Sequence, residues 1–374
     1  MKLNSLICSF LLGLIVVYCA VQAENQPIVL KQADFMRTEQ GINGPVRYLD
    51  GNVWITHDTL SITCEHAIYE ESVGRLTFHD KVHFVEPERQ IWADRATYYE
   101  KDGRANAEGN VRIEQDSTLI TCQRVTYLEA REEALFWGDV IIHSLRENAV
   151  LTGNHGAYKR PNERGIISQN PRLVRTFEED DSLVVIGRVI EYQFASREAV
   201  VTDCVLVVRG DFQAKGDKLF YDEASEHARL IGNPVLENKQ DVLRADTVDV
   251  YFKDSKLKRV DLTGQAVAIS PVDSIMPEPA NILIGREMQI TFMEGELDSI
   301  VVRGNASSFY YIREDGENKG INQVSGDLIK MWIAEDRIRW IYVEGGTEGI
   351  YYPPHLENQA RGLAAGISAE GRTP

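Results

Sequence analysis

The sequence predicts an all-β protein, an elongated array of two facing sheets made from roughly twenty short antiparallel strands. Two observations carry this. A four-position motif recurs nine times, and a turn-forming pair recurs between its copies. The hydrophobic period is two throughout, as in half-buried strands, and never the 3.6 of a helix.

The motif is an apolar residue, a small residue two later, an apolar or small residue three later, and Tyr or an aliphatic two after that. It runs Ile62/Cys64/Ala67/Tyr69, Ile91/Ala93/Ala96/Tyr98, Ile120/Cys122/Val125/Tyr127 and Leu151/Gly153/Gly156/Tyr158. Val185/Gly187/Ile190/Tyr192 follows, and four further copies end with Val324/Gly326/Ile329/Met331. Between the second and third positions the alternation slips by one residue. A slip turns the rest of the strand to the other face unless the backbone bulges or bends there. A small residue precedes each slip, so each rung is expected to bend with no room for a large side chain.

The second mark is Gly51-Asn52-Val53, Asp80-Lys81-Val82, Gly109-Asn110-Val111 and Gly138-Asp139-Val140. Its valines stand 29 residues apart each time. It continues in Asp203-Cys204-Val205 and Gly232-Asn233-Pro234, then loosens through Gly264-Gln265-Ala266 and Gly304-Asn305-Ala306 to Gly345-Gly346-Thr347. It reads as a turn that opens a strand. A repeat of this kind has to be recognised before any element is assigned.

Residues 1–23 stand apart from the array. Lys2, the apolar run after it and Val21-Gln22-Ala23 have the order of a secretory signal peptide cleaved after Ala23. The remaining chain of about 350 residues suits two halves of one array, 24–170 and 171–352, with an irregular stretch near 159–181 between them. Residues 353–374 lack alternation and read as a disordered tail. A net charge of −17 argues against nucleic acid as a partner, which needs clustered Lys and Arg. With 43% hydrophobic and 26% charged residues the chain is globular in composition.

Chemistry-bearing motifs are absent: there is no nucleophile elbow, HExxH or P-loop. Cys64, Cys122 and Cys204 are an odd set after cleavage, with no Cys-x-x-Cys, so no disulfide framework or zinc site is expected. Cys64 and Cys122 occupy small positions of the motif and read as core. His79 and His83 flank Asp80 without an evident third ligand, and Glu178-Glu179-Asp180-Asp181 reads as a solvated loop. No metal and no cofactor are expected. Asp94 and Asp246 hold matching repeat positions, but Gln123 and Asn154 stand between them, so no carboxylate cluster for glycoside chemistry is evident.

The pattern Gly51–Tyr69, Ile91–Val111 and Ile120–Val140, with the looser Gly304-Asn305-Ala306, resembles the OstA-like family. These are the periplasmic β-jellyroll proteins of lipopolysaccharide transport, the LptA bridge and the N-terminal domain of LptD, also described as a β-taco solenoid. The resemblance covers most of residues 45–352. It implies a periplasmic, non-enzymatic bridge that carries lipopolysaccharide toward the outer membrane, with acyl chains in a groove between the sheets. The alternatives are a β-helix-type enzyme acting on polysaccharide and a structural surface repeat.

Groove candidates are the inward apolar positions Val53, Ile62, Ala67, Val82, Ile91, Ala96, Val111, Ile120, Val125, Val140 and Leu151. Arg95 and Glu100 are expected to face outward. An array of strands ends in two open edges, each a template for another chain. Ile341 and Val343 mark the C-terminal edge. The implied partners are lipopolysaccharide or lipid A, LptC-like and LptD-like jellyrolls pairing at the edges, and a second copy joined head to tail.

Overall fold

The computed structural model describes residues 28–357, apart from 58, 178–180, 255, 273–278, 315–316 and 336. The expected signal peptide, most of the expected tail and Glu178-Glu179-Asp180 lie outside the described residues. The chain forms two compact units, one reaching to Val201 and the other starting at Thr202.

The first unit opens with β1 (Val29–Gln32), β2 (Phe35–Gly41), β3 (Gly44–His57), β4 (Leu60–Glu70) and β5 (Arg75–Glu86). It continues through β6 (Arg89–Tyr99), β7 (Arg104–Gln115), β8 (Thr118–Leu128), β9 (Glu133–Ser144) and β10 (Ala149–Lys159). The shorter β11 (Arg164–Ser168), β12 (Arg172–Thr176), β13 (Ser182–Ile186) and β14 (Val189–Gln193) complete it. From β3 to β10 each strand pairs antiparallel with the next, a plain zigzag of hairpins.

After β15 (Glu198–Arg209), the second unit holds β16 (Phe212–Asp222), β17 (His227–Ile231), β18 (Val235–Asn238), β19 (Asp241–Arg244) and β20 (Thr247–Lys253). Longer strands follow: β21 (Lys256–Pro271), β22 (Ala280–Met293), β23 (Glu296–Glu314) and β24 (Glu317–Ala334). The last are β25 (Arg337–Glu344) and β26 (Glu348–Tyr352), which both pair with β24. The fold is all-β and antiparallel, with 26 strand segments among the described residues. Six rungs are interrupted at their bend and count as two segments each, for instance β11 with β12 and β25 with β26.

The backbone device of the bend is the second mark of the sequence, not the first, and it recurs on every second rung. Gly51 and Asn52 have φ of +78° and +47°, and all nine expected turn pairs have positive φ at both positions. Seven of them do not open a strand but kink one in its middle, whereas Gly232-Asn233 and Gly345-Gly346 stand just before the segments β18 and β26. Asp50 faces His66 and Val53 faces Cys64, so three steps on β3 oppose two on β4, the extra residue of a bulge. The small residue lies across the kink on the neighbouring strand. Each full-length strand therefore has two arms meeting at a corner.

The residue after the small one caps that corner. Asp94 Oδ2 accepts from Asn110 Nδ2 at 2.8 Å, and Asp34 Oδ2 accepts from Asn52 Nδ2 at 2.9 Å. Glu65 Oε1 takes Lys81 Nζ at 2.8 Å, and Asn154 Oδ1 accepts from the Asp139 N–H at 3.3 Å. This accounts for Asp94 as a structural group: its carboxylate stabilises a left-handed asparagine. Cys64 and Cys122 sit opposite Val53 and Val111, and burial pushes their thiols up to about 11 and about 12. Cys204 is exposed, within a kink of its own.

On one arm, the recurring tyrosines share a single cross-strand row. Tyr98, Tyr127, Tyr158 and Tyr192 alternate there with Ala105, Ala134 and Gly165 on the intervening strands. Each ring thus lies beside a residue too small to compete for its space, so the core fills by alternating large with small. Tyr192 is fully buried and meets Phe194 edge-on at 5.0 Å.

Candidate functional site

In the first unit the two arms face one another across a slot. Phe78 precedes the β5 kink and Phe84 follows it, yet their rings meet edge to face at 5.9 Å across the interior. Nearest the corner, Val53, Val82, Val111 and Val140 are each 1% exposed or less and stand opposite Cys64, Ala93, Cys122 and Gly153. Those four valines close the corner. One alternation step further out, Ile55, Ile62, Phe84 and Ile91 form an apolar row on one arm.

A cavity of about 410 Å³ opens between that row and the other arm. Ile62, Ile91, Ala96 and Val125 line it, four of the positions the sequence singled out. Ala67, Ile120 and Leu151 are buried in the same rows beside it. The cavity also takes in Leu60, Leu76, Phe78 and Phe84, which were not singled out, and the motif tyrosines Tyr98 and Tyr127. Glu100, expected to face outward, lines it as well. Period-two alternation assigns a face, and these residues fit it; how far from the corner a space opens depends on facing side-chain volumes.

Polar groups enter at the hairpin end. Arg89 Nη2 donates to Glu86 Oε2 at 2.5 Å, and both residues line the cavity. Burial raises the Glu86 carboxyl above its ordinary value, against the opposing pull of Arg89. The outer face differs in character: Arg95, Glu108 and Arg124 follow one another across β6, β7 and β8, and Arg124 lies 4.6 Å from the centre of the Trp137 ring. His79 and His83 fall on opposite arms, either side of the kink. His83 stacks on Trp92 at 4.6 Å and bonds Gln90. Among the described residues no group of three or more His, Cys, Asp or Glu is placed to hold a metal ion.

Each unit has an apolar edge strand. β1 and β2 pair with β3 alone among the described strands, and Ile28, Leu30, Phe35, Met36 and Ile42 are exposed there. In the other unit, Ile341 and Val343 lie half-buried on β25, with Trp340, Tyr342, Ile350 and Tyr351 exposed around them. No described strand pairs with the outer edge of β25.

A family model described as LptA/(LptD N-terminal domain) LPS transport protein matches residues 32–127 and 90–256, more than half the chain. The chain belongs to that family. It is therefore a lipopolysaccharide transport protein of the Lpt type. A comparison with curated proteins finds no match. Among solved structures, the chain is similar to LptH from Pseudomonas aeruginosa, the LptA-homologous periplasmic component of the lipopolysaccharide transport device. That likeness has 19% identity, covers 36% of this chain and 76% of LptH, and has a TM-score of 0.18.

Proposed function

We propose that this chain is a non-enzymatic carrier that holds the acyl chains of lipopolysaccharide in the slot of its first unit. It works in the periplasm, exported by residues 1–23, and passes the lipid toward the outer membrane. The observation that carries this reading is the 410 Å³ apolar cavity between two arms of repeated rungs. An acyl chain of about a dozen carbons entering it gains on the order of 10 kcal/mol, at ~0.8 kcal/mol per buried CH₂. Stacked near-identical rungs give a sliding chain no preferred stop.

A fluorescent acyl probe is expected to bind the full chain and to be displaced stoichiometrically by lipopolysaccharide. A probe that fails to bind, or that lipopolysaccharide does not displace, would contradict the reading.

The exposed apolar edges support assembly, with an LptC-like jellyroll at β1 and β2, an LptD-like jellyroll at β25, and a second copy as a further partner for either edge. N–H groups of successive residues point to opposite edges of a strand. Ile341→Pro and Tyr342→Pro therefore remove donors on opposite sides of β25. One variant loses a bond to β24 and melts lower. The other keeps the wild-type melt and is expected to lose association with an LptD-like N-terminal domain in sedimentation. If that second variant still associates, Ile341 and Val343 do not mark a joint.

A further inference from the structure

One row of the slot is polar. Starting at the β5–β6 hairpin, the register passes from Glu86 to Arg89, then to Gln115, Thr118, Ser144, Ala149 and Arg175. Each lies two residues from a member of the apolar row, so it shares the slot face. Arg89, Thr118 and Ser144 are 6%, 5% and 1% exposed. Arg89 stands second in this row and Arg175 last, and each is ion-paired with a glutamate. The Arg89 and Glu86 side chains are 5% and 17% exposed, and those of Arg175 and Glu147, 3.3 Å apart, are 13% and 6%.

Stability does not explain these pairs. Desolvating two charges cancels most of their attraction, and an apolar pair of similar size serves a fold as well or better. Burial also disfavours the Glu86 carboxylate, against the pull of Arg89. A guanidinium, by contrast, binds a phosphate through two parallel hydrogen bonds. Within the lining of the cavity, Arg89 is the one permanently charged cation among the described residues.

We propose that Arg89 reads the headgroup: a phosphate ester on an amphiphile whose chains lie between the arms displaces Glu86 and takes its place. Arg175 offers a second station on the same rail, five strands away, or roughly 24 Å at ~4.8 Å per strand. This deepens the carrier reading and rests on it.

The test compares dodecyl phosphate with dodecyl maltoside, both below micelle formation, as competitors of the fluorescent acyl probe on the full chain. The readout is the ratio of the two affinities within each variant. The wild type is expected to prefer the phosphate by about tenfold or more, the worth of a charge-assisted hydrogen bond. Glu86→Leu combined with Arg89→Met keeps an apolar pair in the space and is expected to bring the ratio near one. Glu86→Gln removes one competing carboxylate and is expected to raise it. A ratio near one in the wild type, or an undiminished ratio in the double variant, overturns the proposal. So does inorganic phosphate binding the wild type more tightly than the ester, which would make this a free-phosphate site. If neither amphiphile displaces the probe from the wild type, the acyl slot itself is refuted.

Discussion

Gly109→Val is expected to destabilise the first unit by about 2–4 kcal/mol, seen as a lower urea midpoint at unchanged slope. Gly109 has φ of +76°, where a β-branched residue is a steric outlier. A Cβ there would stand 2.3 Å from Asp94 Oδ2 and 2.9 Å from the Asp94 Cβ. The carboxylate cannot move away freely, because it accepts from Asn110 Nδ2. Gly210→Val supplies the control. Its φ of +55° is also left-handed, but a Cβ there meets nothing within 4 Å. It is expected to cost only the backbone term, about 1–2 kcal/mol. Equal losses at the two sites would mean that the corner carboxylate is not a packing element.

Ile91→Asp is expected to weaken acyl-probe binding by about a hundredfold or more, since a chain entering the slot would desolvate the new carboxylate. Ile91 lines the cavity and is half-buried, so the acid keeps access to water when the slot is empty. Folding is therefore expected to survive, which circular dichroism checks. Ile91→Val removes one methylene and is expected to change affinity by less than about tenfold. Wild-type affinity in the Asp variant would place the acyl chain elsewhere.

Much of this fold was legible in residue classes. Period two identified the strands, and the slip within the motif required a bend at each rung. The location of the kink was also written in the sequence, in Gly-Asn pairs such as Gly109-Asn110, because Gly and Asn tolerate positive φ at least cost. Locally the same pair suits a strand opening equally well, so the residues alone do not separate the two uses. One kink escaped notice. Gln169 and Asn170 have φ of +60° and +65°, without a glycine to mark them. The Asn170-Pro171 step could have revealed it, since it matches Asn233-Pro234.

The slot was less legible than the strands. Val111 and Ile91 look equivalent in sequence, inward and apolar. The first is pinned at the corner against Cys122, whereas the second stands where the arms have separated. That distinction depends on depth along the arm. Buried Arg89 and half-buried Arg175 are not legible as slot residues, because charge in an alternating strand is ordinarily assigned to solvent. Arg89 and Arg175 sit at inward parity near hairpin ends, and parity was the available signal.

The most direct measurement places a photocrosslinking amino acid at Ile62, Ile91, Lys81 or Arg95 in turn and exposes each folded protein to lipopolysaccharide. The side chains at 62 and 91 line the slot, while Lys81 and Arg95 are exposed outside it. Lipid adducts are expected at 62 and 91 and not at 81 and 95. Equal adducts at all four positions, or adducts only at 81 and 95, would contradict the claim that lipid acyl chains travel between the arms.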